Sequence, residues 1–176
     1  QGFEEDLLDA VNLSTFIDGE PVSPELQRKI IGLVESVHRK NIVHFDLHDQ
    51  NVMIARNGKQ AYIIDFGLGK RRADLGADGE DDKVWRVARA IDWCTLALSV
   101  CGYEACKHNK YPSSTLLIKQ ARQAINGITL AQLESVLYEH EGPTMLVNLV
   151  EKRGLKMFPK SVADAAKIWD IMTLVE

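Results

Sequence analysis

The chain has 176 residues and a net charge of −4 at neutral pH, with 45% hydrophobic and 26% charged residues. This balance predicts one globular domain or part of one, and it offers no broad basic surface, so nucleic acid is not an expected partner. No apolar run is long enough for a membrane span, and no signal-peptide pattern follows Gln1. Because the first residue is not Met, we expect a processed or excised piece of a longer protein.

Three cysteines, Cys94, Cys101 and Cys106, form an odd number without paired spacing. Their C-x6-C-x4-C spacing would suit a metal site only if Cys94 were accessible. Cys94 lies inside an apolar helical run, and no histidine completes a familiar zinc pattern. We therefore expect reduced thiols and a reducing, cytoplasmic location.

The first third of the chain predicts short elements around one long helix. Residues 3–17 predict an extended segment and then a helical turn that ends at Asp18. Ser23 and Pro24 match a helix N-cap and first helical position, and apolar residues recur at helical spacing through residue 40. Short strands are predicted over 42–44, 51–55 and 60–64, with an Asn-Gly turn between the last two.

The rest of the chain is predicted to be helical after one long loop. Residues 70–83 show no apolar period and run from the basic triplet Lys70-Arg71-Arg72 to an acidic run at 80–82. The triplet either contacts phosphate or an acidic substrate, or is solvated and balanced by the acidic run, which we favour. Residues 84–100 are apolar nearly all round, which predicts a buried central helix. Amphipathic helices are predicted over 113–125, 129–139, 144–153 and 161–175.

Asp46, Asn51 and Asp65 form a constellation with the chemistry of a magnesium site. A hairpin brings the residue before its first strand near the residue after its second, so Asn51 and Asp65 are expected to face one site. Their amide and carboxylate oxygens suit Mg²⁺, and Asp46 lies close enough in the same loop to orient a hydroxyl. Two metal ligands and a base are the minimum for phosphoryl transfer to a hydroxyl. The alternative is a loop whose polar groups only cap backbone.

Two motifs at these positions resemble the protein-kinase-like superfamily. Residues 44–51 read H-F-D-L-H-D-Q-N, similar to the catalytic loop H-x-D-x-x-x-x-N, and residues 65–67 read D-F-G, similar to the metal motif. The resemblance runs from residue 3 to about residue 100. It implies a catalytic aspartate at Asp46 and Mg²⁺ ligands at Asn51 and Asp65.

The resemblance implies further roles around the site. Asp92, within an apolar helix, matches the aspartate that supports the catalytic-loop backbone. Leu8 falls on the hinge that would meet the adenine of ATP, while Met53 and Ile64 fall on the floor of that pocket. His44 is expected to bond backbone near the metal motif. Isolated His38 is expected to be structural or exposed, and Trp85, Trp93 and Trp169 are expected in the core.

Departures from the family pattern favour an atypical branch. Phe45 stands where many protein kinases carry an arginine that reads a phosphorylated loop, and residues 68–84 contain no Ser, Thr or Tyr. His48 replaces the usual lysine and makes the loop more similar to aminoglycoside and choline phosphotransferases, in which the histidine lies near the phosphates. His48 is therefore read either as a catalytic residue at the phosphates or as part of a solvated loop. An A-P-E motif is missing.

The fold predicted from these observations is α+β and mainly helical: the large lobe of a kinase-like domain with a short β-hairpin bearing the site. Residues 1–19 would form the hinge and following turn, and residues 20–176 the lobe. We expect the small lobe to be absent and turnover by this chain alone to be negligible without a small lobe or partner chain.

The predicted function is an ATP- and Mg²⁺-dependent phosphotransferase acting on a hydroxyl of a protein or small molecule, with no membrane partner. The alternative is a pseudokinase-like binding module without catalysis.

Overall fold

The computed structural model describes residues 9–18, 22–76, 82–101 and 115–139. Within these ranges the protein is an α+β fold in which helix predominates, which confirms the predicted class at that level. The helices predicted over 144–153 and 161–175 lie outside the described residues, as do Leu8 and Trp169.

The described chain begins with strand β1 (Ala10–Asn12) and the short helix α1 (Leu13–Ile17). The Asn12 side chain caps α1 by accepting the Thr15 N–H at 2.8 Å. Asp18 ends the helix in the left-handed conformation, with φ 43°. The predicted order of strand, helical turn and stop at Asp18 is therefore confirmed.

Helix α2 (Pro24–Arg39) begins where Ser23 and Pro24 predict it to begin. The Ser23 hydroxyl accepts the Leu26 N–H at 3.2 Å, and proline at the first position costs no hydrogen bond. One face of the helix is buried, with Ile30 and Val34 in the core. That face packs against the hairpin and against a later helix.

Strands β3 (Val52–Ala55) and β4 (Ala61–Ile63) form the predicted antiparallel hairpin, and β1 pairs with the other edge of β3. Gly58 supplies the positive φ, 68°, that the turn requires. Val52 lies opposite Ile63 in the ladder. This register sets the residues just outside the hairpin, Asn51 and Ile64, beside each other.

A second sheet corrects the prediction of an unstructured loop over 70–83. Strand β2 (Ile42–Val43) pairs antiparallel with β5 (Lys70–Arg71), and a 3₁₀ turn (Arg72–Leu75) follows. Leu75 is buried in the core. The loop prediction was wrong for residues 70–75 because this pairing joins segments about thirty residues apart and leaves no local pattern.

Helix α3 (Lys83–Cys101) is the predicted central helix, and it is buried on nearly every side. It packs against α4 (Thr115–Ile125) and α5 (Leu130–Glu139), and Trp85 and Trp93 lie in the core as expected. In the part of the chain that the structure describes, no helix combines the length and apolar content needed to cross a bilayer.

A buried glutamine joins α2 to α4. The Gln27 amide donates to the Val22 carbonyl at 2.8 Å, and its oxygen accepts the Leu117 N–H at 3.2 Å. Gln27 is fully buried, and both of these bonds satisfy backbone groups that water cannot reach. The side chain of one helix therefore caps the first turn of another, ninety residues away in sequence.

Candidate active site

The loop of residues 44–51, between β2 and β3, is held by hydrogen bonds to the buried Asp92 side chain of α3. One carboxylate oxygen of Asp92 accepts the His44 N–H and the other accepts the Phe45 N–H, each at 2.8 Å. Phe45 has φ 59°, a left-handed conformation that costs a residue with a side chain about 1 kcal/mol or more. The two charge-assisted bonds offset that cost. The structure thus shows the support for the loop backbone that the resemblance implies for Asp92.

His38 completes this buried anchor. Its Nε2 lies 2.9 Å from Asp92 Oδ2, and its ring makes edge contacts with Trp85 and Trp93. His38 is therefore structural and buried, one of the two outcomes expected for it. Its partner could not be identified from sequence, because His38 and Asp92 are 54 residues apart.

Asp46 and Asn51 are held together by the turn between them. The Asn51 side-chain nitrogen donates to the Asp46 carbonyl at 2.9 Å and to Asp46 Oδ2 at 3.2 Å. The Asn51 N–H also bonds the His48 carbonyl, which closes the 3₁₀ turn Asp49–Asn51. The five-residue spacing therefore brings these two side chains into direct contact.

His48 faces Asp46. Its Nδ1 accepts the Gln50 N–H at 3.2 Å, which leaves Nε2 as the protonated nitrogen of the neutral ring. Nε2 lies 3.3 Å from Asp46 Oδ1, although the contact is not aligned as a hydrogen bond. Because only 12% of the side chain is exposed, the solvated-loop reading of His48 is wrong. Its contact with phosphates stays a prediction.

Ile64, the residue before Asp65, bonds two residues of the loop 44–51. The Ile64 N–H bonds the Asn51 carbonyl at 3.0 Å, and the Ile64 carbonyl lies 2.8 Å from His44 Nε2. His44 is thus the structural histidine that the sequence predicts, and its ring packs on Phe66. The expected proximity of the two ends of the hairpin is confirmed.

Asp65 itself is exposed at the edge of this arrangement. It has φ 59°, and its Oδ1 accepts the Gly67 N–H at 3.4 Å, which caps the 3₁₀ turn Phe66–Leu68. Asp65 follows Ile64, whose N–H bonds the Asn51 carbonyl, so its backbone lies beside the loop that carries Asp46 and Asn51. Its charge makes a minor contribution to the raised pKa of Asp46. The structure therefore brings Asp46, Asn51 and Asp65 to one site.

The electrostatics of the site centre on Asp46. Burial raises the pKa of its carboxyl above the ordinary 3.8, and the Asp65 charge adds to that rise, whereas His48, His44 and the Asn51 hydrogen bond oppose it. Within the described residues Oδ1 of Asp46 is buried without a hydrogen-bond partner. A buried, unsatisfied carboxylate oxygen is typical of a group that receives its partner from a ligand.

The donor set fits a magnesium ion. Because the Asn51 nitrogen is engaged by Asp46, the Asn51 oxygen is the atom left for a cation, and Asp65 supplies an exposed carboxylate. Over the described ranges, no cluster of three or more His, Cys, Asp or Glu side chains is suited to a metal. The candidate site is accordingly the mixed amide and carboxylate pair predicted from sequence.

The other residues singled out from sequence contribute less. Met53 and Ile64, the expected floor of an adenine pocket, are partly exposed near the open end of the hairpin, where Val52 pairs with Ile63. Cys94 is buried, and burial raises the pKa of its thiol to about 12, so it is an inert core thiol rather than a ligand.

Sequence reasoning missed a second contact between α3 and the loop. The Ser99 hydroxyl accepts the Asp49 N–H at 2.9 Å, and both residues are buried. The signal was available: Asp92, Thr95 and Ser99 recur at i, i+3 and i+7 along residues 90–101 of the helix, which are otherwise apolar. Such a polar stripe indicates that the helix face contacts backbone rather than apolar core.

Comparison with known proteins gives partial similarities. No protein-family model matches the chain. It is 41% identical over 70 residues to a probable bifunctional tRNA threonylcarbamoyladenosine biosynthesis protein of Methanosarcina barkeri, and equally so to that of Methanosarcina acetivorans. Each match covers 38% of this chain and only 12% of the relative.

A third similarity is to a probable serine/threonine-protein kinase of Streptomyces coelicolor, which is 40% identical over 52 residues. That match covers 30% of this chain and 8% of the kinase. Together these partial similarities are consistent with the protein-kinase-like resemblance at the level of the superfamily.

Proposed function

We propose that this chain is the catalytic large lobe of a protein-kinase-like, ATP- and Mg²⁺-dependent phosphotransferase. The observation that carries the proposal is the convergence of Asp46, Asn51 and Asp65. Asn51 bonds Asp46 with its side chain and accepts with its carbonyl from the N–H of Ile64, the residue before Asp65. A loop that only capped backbone would not need a buried carboxylate oxygen without a partner. The partial similarity to a serine/threonine kinase supports the same activity.

Each residue has a distinct part in the proposed reaction. The free Oδ1 of Asp46 accepts a hydrogen bond from the acceptor hydroxyl and orients its oxygen towards the terminal phosphorus of ATP. As the new P–O bond forms and the bond to the leaving ADP oxygen breaks, the hydroxyl proton passes to Asp46. The raised pKa of Asp46 favours its receipt of that proton.

Asn51 and Asp65 would hold the metal through oxygen. When bound, Mg²⁺ supplies electrostatic stabilisation of the transferred phosphoryl group. Asn51 would perform two tasks with its two side-chain atoms, because its nitrogen bonds Asp46 while its oxygen would bind the cation. His48 lies against Asp46 on the other side and would reach the phosphates from there.

The acceptor belongs to one of two classes, a protein Ser/Thr hydroxyl or a small-molecule alcohol. The Streptomyces relative is a probable serine/threonine-protein kinase, and the Methanosarcina relatives are probable tRNA threonylcarbamoyladenosine biosynthesis proteins. The D-L-H-x-x-N loop around His48 favours the small-molecule branch. We place the protein in a reducing, cytoplasmic compartment, in keeping with the buried Cys94 thiol.

Thermal unfolding with nucleotide tests this proposal. ATP and Mg²⁺ together are expected to raise the melting temperature of the chain, by the equivalent of about 2.7 kcal/mol at a hundredfold excess over Kd. Asp65→Ala should abolish the magnesium-dependent part of the shift. Glu35→Ala, which removes a charge from the exposed side of α2, should leave the shift unchanged.

An equal response in Asp65→Ala would contradict the assignment of the metal site. If wild-type protein does not respond to ATP and Mg²⁺, the binding-module alternative is favoured over the enzyme.

A further inference from the structure

Two arginines contact the ring of Trp85 near the start of α3, and a third arginine lies on the same helix. The guanidinium carbons of Arg72 and Arg89 each lie 5.9 Å from the centroid of the Trp85 ring. Arg86 lies three residues before Arg89 on the same helix face. Burial lowers the pKa of Arg89, and the charges of Arg72 and Arg86 lower it further, so the three cations share one environment. We call Arg72, Arg86 and Arg89 the arginine cluster.

Arg72 contacts a carboxylate and Arg86 contacts a backbone carbonyl, and neither of these two contacts includes Arg89. Arg72 Nε lies 3.6 Å from an oxygen of Asp82, and Arg86 donates to the Asn126 carbonyl at 2.7 Å. The Nε of Arg89 is buried and finds no hydrogen-bond acceptor among the described residues. Arg89 thus holds a partly buried charge beside two like charges.

Such an arrangement is costly unless an anion completes it. A buried N–H donor without an acceptor loses its hydration, and neighbouring like charges add to the cost. Contact with the Trp85 face stabilises the Arg89 guanidinium group but supplies no acceptor in the plane of its N–H groups. Arg86 is exposed, and Arg72 and Arg89 are partly exposed, so the cluster lies at the protein surface.

A phosphate group suits these donors best. Guanidinium groups bind phosphate with two parallel N–H···O bonds, and a dianion with three terminal oxygens can accept from several arginines at once. Residues 68–84 contain no Ser, Thr or Tyr, so the neighbouring segment cannot itself carry the phosphate. We propose that the arginine cluster binds a phosphate monoester presented by another molecule or by a distant segment of the chain.

The proposal is tested by titrating the chain with inorganic phosphate, and with a phosphoserine peptide and its unphosphorylated form, at constant ionic strength. The Trp85 indole N–H signal in NMR spectra reports binding at the cluster. We expect saturable binding of phosphate and phosphopeptide, weakened by about tenfold or more in Arg89→Gln, as for the loss of a hydrogen bond to a charged group. Arg39→Gln, which removes an exposed charge on α2, should change the affinity less than about twofold.

The two probes distinguish the source of the phosphate. Tighter binding of the phosphopeptide than of inorganic phosphate assigns a phosphorylated polypeptide, whereas equal binding assigns a small phosphate ester. If Arg89→Gln does not fold, exposed Arg86→Gln provides the comparison. The proposal is overturned if neither probe binds the wild-type chain saturably, or if the cluster variants bind as tightly as Arg39→Gln.

Discussion

The two oxygens of the Asp46 carboxylate have different surroundings, and this difference is the main chemical feature of the site. Oδ2 accepts from Asn51, while Oδ1 is buried beside His48 and forms no hydrogen bond within the described part of the chain. The sequence predicts which residues meet, because the spacing of Asp46 and Asn51 and the intervening hairpin fix their proximity. It does not predict which oxygen is free, because that depends on side-chain orientation.

Replacement of Asp46 by asparagine is expected to stabilise the metal-free protein at neutral pH. Burial raises the folded-state pKa of Asp46 above the ordinary 3.8, so ionisation costs the folded state more than the unfolded state. The contribution of the Asp46 carboxyl group to wild-type stability is then fully present below pH 3.8 and is lost as pH rises through the folded-state pKa of this group. The Asp46→Asn side chain does not ionise, so the variant keeps this stability at neutral pH. The amide oxygen that it introduces can still accept a hydrogen bond from Asn51.

The measurement is the melting temperature of both proteins with chelator present, from pH 3 to pH 7. The advantage of Asp46→Asn should be greatest at pH 7 and should shrink towards pH 3. A variant that is less stable at pH 7, or an advantage that grows as pH falls, would show that Asp46 is not strained by burial.

Helix α3 works as the platform of the site. Its stripe of Asp92, Thr95 and Ser99 lies in the otherwise apolar residues 90–101, and two of these residues bond backbone N–H groups of the loop 44–51. The helices were predictable because capping and apolar period are local signals, as at Ser23 and Pro24. Strand β5 was not predictable, since only its pairing with β2 makes it a strand.

Removal of the Asp92 side chain is expected to be severely destabilising. Asp92→Ala leaves the His44 and Phe45 N–H groups and the His38 ring without their buried acceptor, for a loss of about 3 kcal/mol or more in unfolding free energy. Urea denaturation measures this loss. Glu35→Ala, on the exposed side of α2, should change stability by less than about 0.5 kcal/mol. A loss below about 1 kcal/mol in Asp92→Ala would mean that the loop holds its shape without α3.

At the scale of the whole molecule, the site draws its residues from separate segments of the chain. The bonds of Ile64 to Asn51 and His44 join the end of β4 to the loop 44–51, and the bonds of Asp92 and Ser99 join helix α3 to the same loop. Gln27 ties α2 to α4, and Lys29 donates to the Gly58 carbonyl at the hairpin turn. The fold class could be predicted from the helices and strands. The bonds of Gln27 and Lys29 could not, because a glutamine or lysine on a helix gives no sign of a distant backbone partner.

The most direct test of the account is the location of the bound metal. Mn²⁺ prefers the same oxygen ligands as Mg²⁺ and broadens NMR signals close to it. With Mn²⁺ and a non-hydrolysable ATP analogue, we predict that the Asn51 side-chain amide and the Asp65 and Gly67 backbone amides broaden first, and that Asp65→Ala removes this selectivity. Broadening centred elsewhere in the chain, or an unchanged pattern in Asp65→Ala, would contradict the proposed phosphotransferase site.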